Sequence, residues 1–223
     1  MNMKGIKIGR LTCDCAHAAS PRFTYILTPM QLDKRRLEQW SERYGTNIVS
    51  VHGMDWDNDL TPWPAPGVET GDADFKGEAA AFLSFLQNGV MPQVETELAE
   101  PFLTERTLIG ISLSGLFALW AWMNGDDFTH IGSISGSFWY DGFTGWLEHT
   151  AKPHKKGRAY FSLGDKEGKN GNPRYHTVAT DTTLVFQALQ QAGIEVFYET
   201  TAGTHFAPIY PRIEKALKIL TVK

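Results

Sequence analysis

A chain of 223 residues, 42% hydrophobic and 21% charged, can bury a substantial core and most simply forms one domain over 1–223. Its net charge of -4 gives no electrostatic reason to expect nucleic acid or an anionic membrane surface as partner. No stretch approaches transmembrane length and no apolar h-region follows Lys4, Lys7 and Arg10, so no membrane association is expected and the cytoplasm is the default compartment.

The chain holds two cysteines, Cys13 and Cys15. Their C-x-C spacing is too tight for an ordinary structural disulfide and lacks the further thiols of a zinc site, so both read as reduced. Residues 1–22 are weakly patterned, with a short edge strand around Ile6 to Ile8. Phe23 to Thr28 is β-branched and aromatic enough for a strand. Thr28 and Pro29 read as the cap and first position of a helix through Leu32, Leu37, Trp40 and Tyr44 that stops at Gly45. Asn47 to His52 is the next strand, which completes a parallel crossover unit.

The loop from Gly53 to Gly67, rich in proline and aspartate, is long enough to suggest a functional role. Asp55, Asp57 and Asp59 alternate as in a calcium loop but lack its glycine and terminal glutamate, so no metal is expected. Trp56 and Trp63 are candidates to line a pocket. Residues 74–98 read as helix, with a break near Asn88, Gly89 and Pro92.

Thr107-Leu108-Ile109 is a short buried strand, and Leu116 to Trp120 is helical. Between them runs Gly110-Ile111-Ser112-Leu113-Ser114-Gly115. A serine on a sharp strand-to-helix turn, flanked by small residues, is the arrangement of a nucleophile elbow. Ser114 stands where G-x-S-x-G wants its second glycine, and Gly115 comes one step later. Ser112 is the candidate nucleophile; Ser114 is the alternative. The helix start supplies N–H groups and a positive dipole end where an oxyanion can form.

Strands follow at Ile131 to Ser135, Ala159 to Leu163 and Glu195 to Thr200. The stretch between Gly136 and Trp146 is aromatic and glycine-broken. Helices run from Val178 to Ala192 and from about Pro208 to Val222. This alternation predicts an α/β fold with a mostly parallel central sheet and helices on both faces.

Functional residues of such sheets collect at the carboxyl ends of the strands. Three ends offer a nucleophile, an acid and a base in the order Ser, acid, His. Ser112 follows the central strand. Gly164-Asp165-Lys166-Glu167 presents two carboxylates; Glu167 has the longer reach and Asp165 is the alternative. Gly203-Thr204-His205 places an imidazole, able to take the serine's proton and return it to a leaving group, before the last helix. The oxyanion hole should combine the N–H of Leu113 with one from the loop after Thr28, where Pro29 has none and Met30 is the candidate.

These residues resemble the esterases of the α/β-hydrolase fold that include esterase D and the enterochelin (siderophore) esterases. The resemblance rests on Gly110 to Phe117, similar to a G-H-S-x-G-G-L-F elbow. It rests also on Ser133 to Ser137 with the following aromatic, on Gly164 to Glu167 and on Gly203-Thr204-His205. It covers most of the chain from about residue 23 and implies a serine carboxylesterase acting on a small-molecule ester without metal or organic cofactor. Ile111 replaces the usual histidine and Ser114 the usual glycine. Trp56, Trp63 and Trp139 suggest an apolar acyl or aryl pocket. A hydrolase-fold binding module and an acyltransferase on the same serine are the competing readings, and no oligomeric state is expected from the sequence.

Overall fold

The computed structural model describes residues 3–98, 103–150, 156–169 and 171–221. Eight strands form one sheet: β1 (Met3–Ile8), β2 (Leu11–Ala16), β3 (Arg22–Leu27), β4 (Asn47–His52), β5 (Glu105–Ile111), β6 (His130–Ile134), β7 (Arg158–Gly164) and β8 (Glu195–Thr201). Their spatial order is β1-β2-β4-β3-β5-β6-β7-β8. From β4 through β3, β5, β6 and β7 to β8 every pairing is parallel, whereas β1 and β2 form an antiparallel hairpin added at the β4 edge.

The helices are α1 (Lys34–Tyr44), α2 (Ala79–Phe85), α3 (Met91–Glu97), α4 (Leu113–Asn124), α5 (Phe143–Thr150), α6 (Val178–Gln191) and α7 (Ile209–Thr221). Strand side chains alternate between faces, and two separate cores result. Phe23, Tyr25 and Leu27 of β3 enter the larger one with α4, while Ile26 joins Ile48, Ile109 and Ile134 beneath Leu37 and Trp40 of α1 and Leu217 and Leu220 of α7. α4 is buried nearly all round, so it is apolar without being amphipathic.

Three expectations need correction. The first is at the N-terminus, where Leu11–Ala16 is a full strand and β1 starts at Met3. Cys13 and Cys15 face the larger core with Leu11, and polar Asp14 between them disguised the pattern. Second, α1 does not open at Thr28-Pro29. Its cap is Asp33, whose side chain accepts the Arg36 N–H at 2.9 Å. Residues 28–33 are instead a loop leaving the sheet's carboxyl edge. Third, helix begins at Ala79 and not at residue 74, and Asn88-Gly89 does not interrupt it. There Leu86–Val90 widens into one π-helical turn that continues into α3. Val222, expected within the last helix, lies outside the described residues. Among the described residues no helix is long and apolar enough to cross a membrane.

The thiols of Cys13 and Cys15 are free, and burial pushes each up to about 12. Both should therefore resist a water-soluble disulfide reagent in native protein at pH 8 and react fully on denaturation. Rapid native labelling of either would contradict the interior placement of β2.

Candidate active site

β5 ends at the carboxyl edge of the sheet with Ile111, and Ser112 stands between it and the first residue of α4. Ser112 has φ 59° and ψ -125°, a conformation that costs a non-glycine residue on the order of 1–3 kcal/mol. Four backbone hydrogen bonds hold it there. Its N–H donates to Ile134 O at 3.0 Å, and its carbonyl accepts from Gly115, Leu116 and Ser137 at 2.9, 3.1 and 3.1 Å.

The small residues around the turn have distinct jobs. A methyl group on Gly110 would collide with the carbonyl of Ser114, and one on Gly115 would lie 2.6 Å from Ser133 Oγ. The close crossing thus falls at Gly115, and Ser114 needs no glycine. Its buried hydroxyl accepts the Ile111 N–H at 2.7 Å and lies 2.9 Å from Leu27 O, joining the turn to the end of β3. Ser112 Oγ instead faces outward, 3.1 Å from His205 Nε2 and 3.3 Å from Ser137 Oγ.

His205 bridges two of the expected partners, for its Nδ1 lies 2.9 Å from Glu167 Oε2. The other carboxylate oxygen, Oε1, accepts from Gly164 N–H at 2.6 Å and from Ser135 Oγ. Asp165 turns elsewhere. Its Oδ1 accepts the Gly203 N–H at 2.8 Å, while Lys166 N–H donates to Gly203 O at 3.0 Å. Asp165 therefore clamps the loop that carries His205, and Glu167 reaches the ring itself. Burial alone would raise the Glu167 carboxyl, but hydrogen bonds from His205, Ser135 and Gly164 and the charge of His205 outweigh it and hold the group below the usual carboxylate range.

Leu113 occupies the first position of α4, so its N–H has no acceptor within the helix. Met30 is 60% exposed, and its backbone carbonyl accepts from Thr28 Oγ1 at 2.6 Å, which tightens the loop after β3. That loop is tethered at several points: Gln31 Nε2 donates to buried Asp14 at 2.8 Å, and Asp33 N–H to Tyr210 OH at 3.0 Å. Asp14 also lies 3.4 Å from His52 Nε2.

Trp63 joins Tyr140, Phe143 and Trp146 in an aromatic cluster and donates from Nε1 to Asp141 O at 2.8 Å. It thus pins the long loop to α5, and Trp56 packs on the same core. Asp59 pairs with Arg10 and accepts the Asp55 N–H at 2.8 Å, so its carboxylate serves the loop's shape. Trp139 follows Ser137 by two residues and packs edge-on against Tyr175, with the Arg174 guanidinium 5.4 Å above its ring.

Sequence reasoning gave Ser135 and Ser137 no role of their own, and missed Asp14 and above all Arg212. Arg212 is 4% exposed, and its Nη2 lies 3.5 Å from Glu167 Oε1. A signal existed: Arg212, Ala216 and Leu220 recur every four residues on the apolar stripe of α7, so an arginine stood at a core position.

A family model described as Putative esterase matches residues 35–210 of the chain, a span that contains every member of the Ser112–His205–Glu167 chain of contacts. The chain belongs to this esterase family. A sequence relative, Uncharacterized protein YbbA of Bacillus subtilis (strain 168), is 31% identical over 140 residues, which are 61% of this esterase-family chain and 55% of YbbA. The match therefore spans about half of that relative's length.

Solved structures agree on the fold. An IroE-like serine hydrolase from Shewanella oneidensis superimposes with a TM-score of 0.83 at 15% identity, covering 99% of this chain and 80% of its own. The siderophore hydrolase EstA from Aspergillus nidulans gives 0.79 at 18%, covering 99% and 94%. The eight-stranded, mostly parallel sheet is thus the α/β-hydrolase fold.

The depressed Glu167 carboxyl couples folding to pH. Its folded-state value lies below the unfolded one, so its contribution is complete above the unfolded value near 4.5 and fades as pH falls through the folded value. Thermal unfolding of Glu167→Gln should accordingly fall less steeply than wild type between about pH 5 and 3. Parallel curves would mean that the carboxylate gains nothing from its native partners.

Proposed function

We propose that this protein is a serine carboxylesterase that cleaves small or aromatic acyl esters through an acyl-enzyme on Ser112. The observation that carries the reading is the bridging imidazole, 3.1 Å from a strained, outward-facing serine and 2.9 Å from a buried carboxylate. In the first half-reaction Ser112 Oγ attacks the ester carbonyl while His205 Nε2 takes its proton. The tetrahedral oxyanion is stabilised by the N–H groups of Leu113 and Met30. Collapse expels the alcohol, which receives the proton from His205. Water, deprotonated by the same nitrogen, then releases the acid and restores Ser112. Glu167 holds the ring in the tautomer that presents a free Nε2 to the serine and stabilises the imidazolium that forms. Every step uses groups already present, with no metal or organic cofactor.

Trp139 and its neighbours Tyr175 and Arg174 supply an aromatic wall beside Ser137 for the acyl group; Trp56 and Trp63 shape the loop behind it. The structural relatives described as siderophore hydrolases make siderophore esters part of the substrate panel to try. Ile111 and Ser114, which depart from the family's elbow, leave the serine–imidazole–carboxylate contacts in place, and this favours an enzyme over a binding module.

A fluorophosphonate probe should label Ser112 stoichiometrically in folded protein, and Ser112→Ala should abolish labelling and p-nitrophenyl ester turnover; an unlabelled folded chain would leave a binding module. Glu167→Gln should lower kcat by on the order of 10³–10⁴, as loss of a triad acid does, against a much smaller loss for Asp165→Asn. The reverse ranking would transfer the acid's role to Asp165. Met30→Pro, which removes one N–H, should reduce kcat by about 10²–10³ with KM little changed, while Met30→Ala, which keeps it, should not.

A further inference from the structure

The Glu167 carboxylate is served from behind by a residue 45 positions further along the chain. Arg212 projects from the first turn of α7 into the space beneath the carboxyl ends of β6 and β7. Its Nη2 donates to Ser135 Oγ at 2.5 Å, lies 3.4 Å from Ser162 O and stands 3.5 Å from Glu167 Oε1. Ser135 Oγ in turn donates to that same Oε1. Ser135 holds a left-handed conformation, φ 49°, with its N–H on Ser162 O at 2.7 Å. A second strained serine, one residue past the end of β6, is therefore aimed at the acid just as Ser112 is aimed at the base.

A buried guanidinium is expensive, and an apolar side chain of similar volume would satisfy packing alone. Arg212 Nε and Nη1 have no hydrogen-bond partner among the described residues, so this arginine is not retained for a saturated network. Nor does Glu167 need it to be hydrogen-bonded, since His205, Gly164 and Ser135 already donate to it. What the arginine uniquely adds is a positive charge, behind Oε1 and on the far side from His205.

We propose that Arg212, acting through Ser135 and Glu167, is a positioning residue that sets the basicity of His205. The role rests on the assignment of Ser112, His205 and Glu167 as the catalytic groups. With the guanidinium in place, part of the carboxylate's field is neutralised and less remains to stabilise the imidazolium. His205 then stays neutral, and able to accept the serine's proton, to lower pH. Glu167 meanwhile is kept ionised and pinned by Oε1, leaving Oε2 directed at Nδ1. Burial lowers the affinity of Arg212 for its proton and the surrounding anions partly restore it. Among the described residues, the charged and titratable groups facing Arg212 are Glu167 from the β7–α6 connection, Tyr160 of β7 and Glu199 of β8. Tyr160 is raised by burial and donates to Glu199, which Lys215 of α7 also pairs. Tyr160 is therefore neutral, and Glu199 has its own cation, through the neutral range.

The test is the pH dependence of kcat/KM for one aryl ester. In Arg212→Met the acidic limb should move upward by about one pH unit, the size expected for removing a nearby buried charge. Arg212→Lys should restore the limb to near its wild-type position, because it keeps the charge and loses only the fork. Ser135→Ala, which removes a donor from Oε1 and leaves the arginine, should shift the limb in the same direction by less; it serves as the readout if Arg212→Met does not fold. A limb coincident with wild type in the folded arginine and serine variants, however far the plateau falls, overturns the proposal and makes both residues structural. Fluorophosphonate labelling of Ser112 on the alkaline plateau separates the two levels. Absence of labelling in wild type defeats the triad itself, whereas labelling with an unmoved limb defeats only the role of Arg212.

Discussion

Ser112 is held at φ 59° and ψ -125° between a strand and a helix, and the rest of the site is arranged around keeping it there. A serine relaxed into the first turn of α4 would turn its hydroxyl toward backbone groups, as that of Ser114 does. The strained conformation carries Oγ clear of the elbow, where an imidazole can reach it. Its energetic cost is met by backbone hydrogen bonds to β6 and to Ser137, and by the crossing at Gly110 and Gly115, where a side chain would drive α4 away from the sheet. The elbow is therefore stable only in the context of the packed sheet.

Around this point four connections at one edge of the sheet divide the work. The loop after β3 is tied by Gln31 to Asp14 and by Asp33 to Tyr210. The loop after β8 carries His205 and is clamped by Asp165. The turn after β7 presents Glu167, and the residue just past β6, Ser135, supports it. Each connection is short or multiply anchored, which fixes the polar groups of the site relative to one another. A carboxylate with a side-chain exposure of only 2% is tolerated here because three donors and a cation face it.

Much of this could be read from residue order. Ser112 was legible because a strand pattern, a small-residue turn and a helical pattern meet there. Glu167 and His205 were legible because each follows a glycine at a strand end. The choice between Glu167 and Asp165 was argued only from side-chain length, and it is the turn made by Gly164 and Gly203 that gives each carboxylate its own neighbour. β2 was missed because Asp14 interrupts a largely apolar strand, its charge being paired by Lys34, 20 positions along the chain. The start of α1 was misplaced because Thr28-Pro29 satisfies the local rule for a helix start, while the loop's tertiary anchors hold residues 28–33 out of the helix.

Local sequence thus determined which segments are strands and helices in most of the chain, that the sheet is mostly parallel, and which three side chains stand at its carboxyl edge. These follow from periodicity and turn chemistry, which act over a few residues. Only the tertiary structure decided the antiparallel hairpin at one edge, the separate duties of Asp165 and Glu167, and the presence of Arg212 beneath the acid. Those depend on pairings between residues as far as 77 positions apart, as for Arg212 and Ser135, and no local pattern encodes which distant charges or hydroxyls will meet once the two cores have closed.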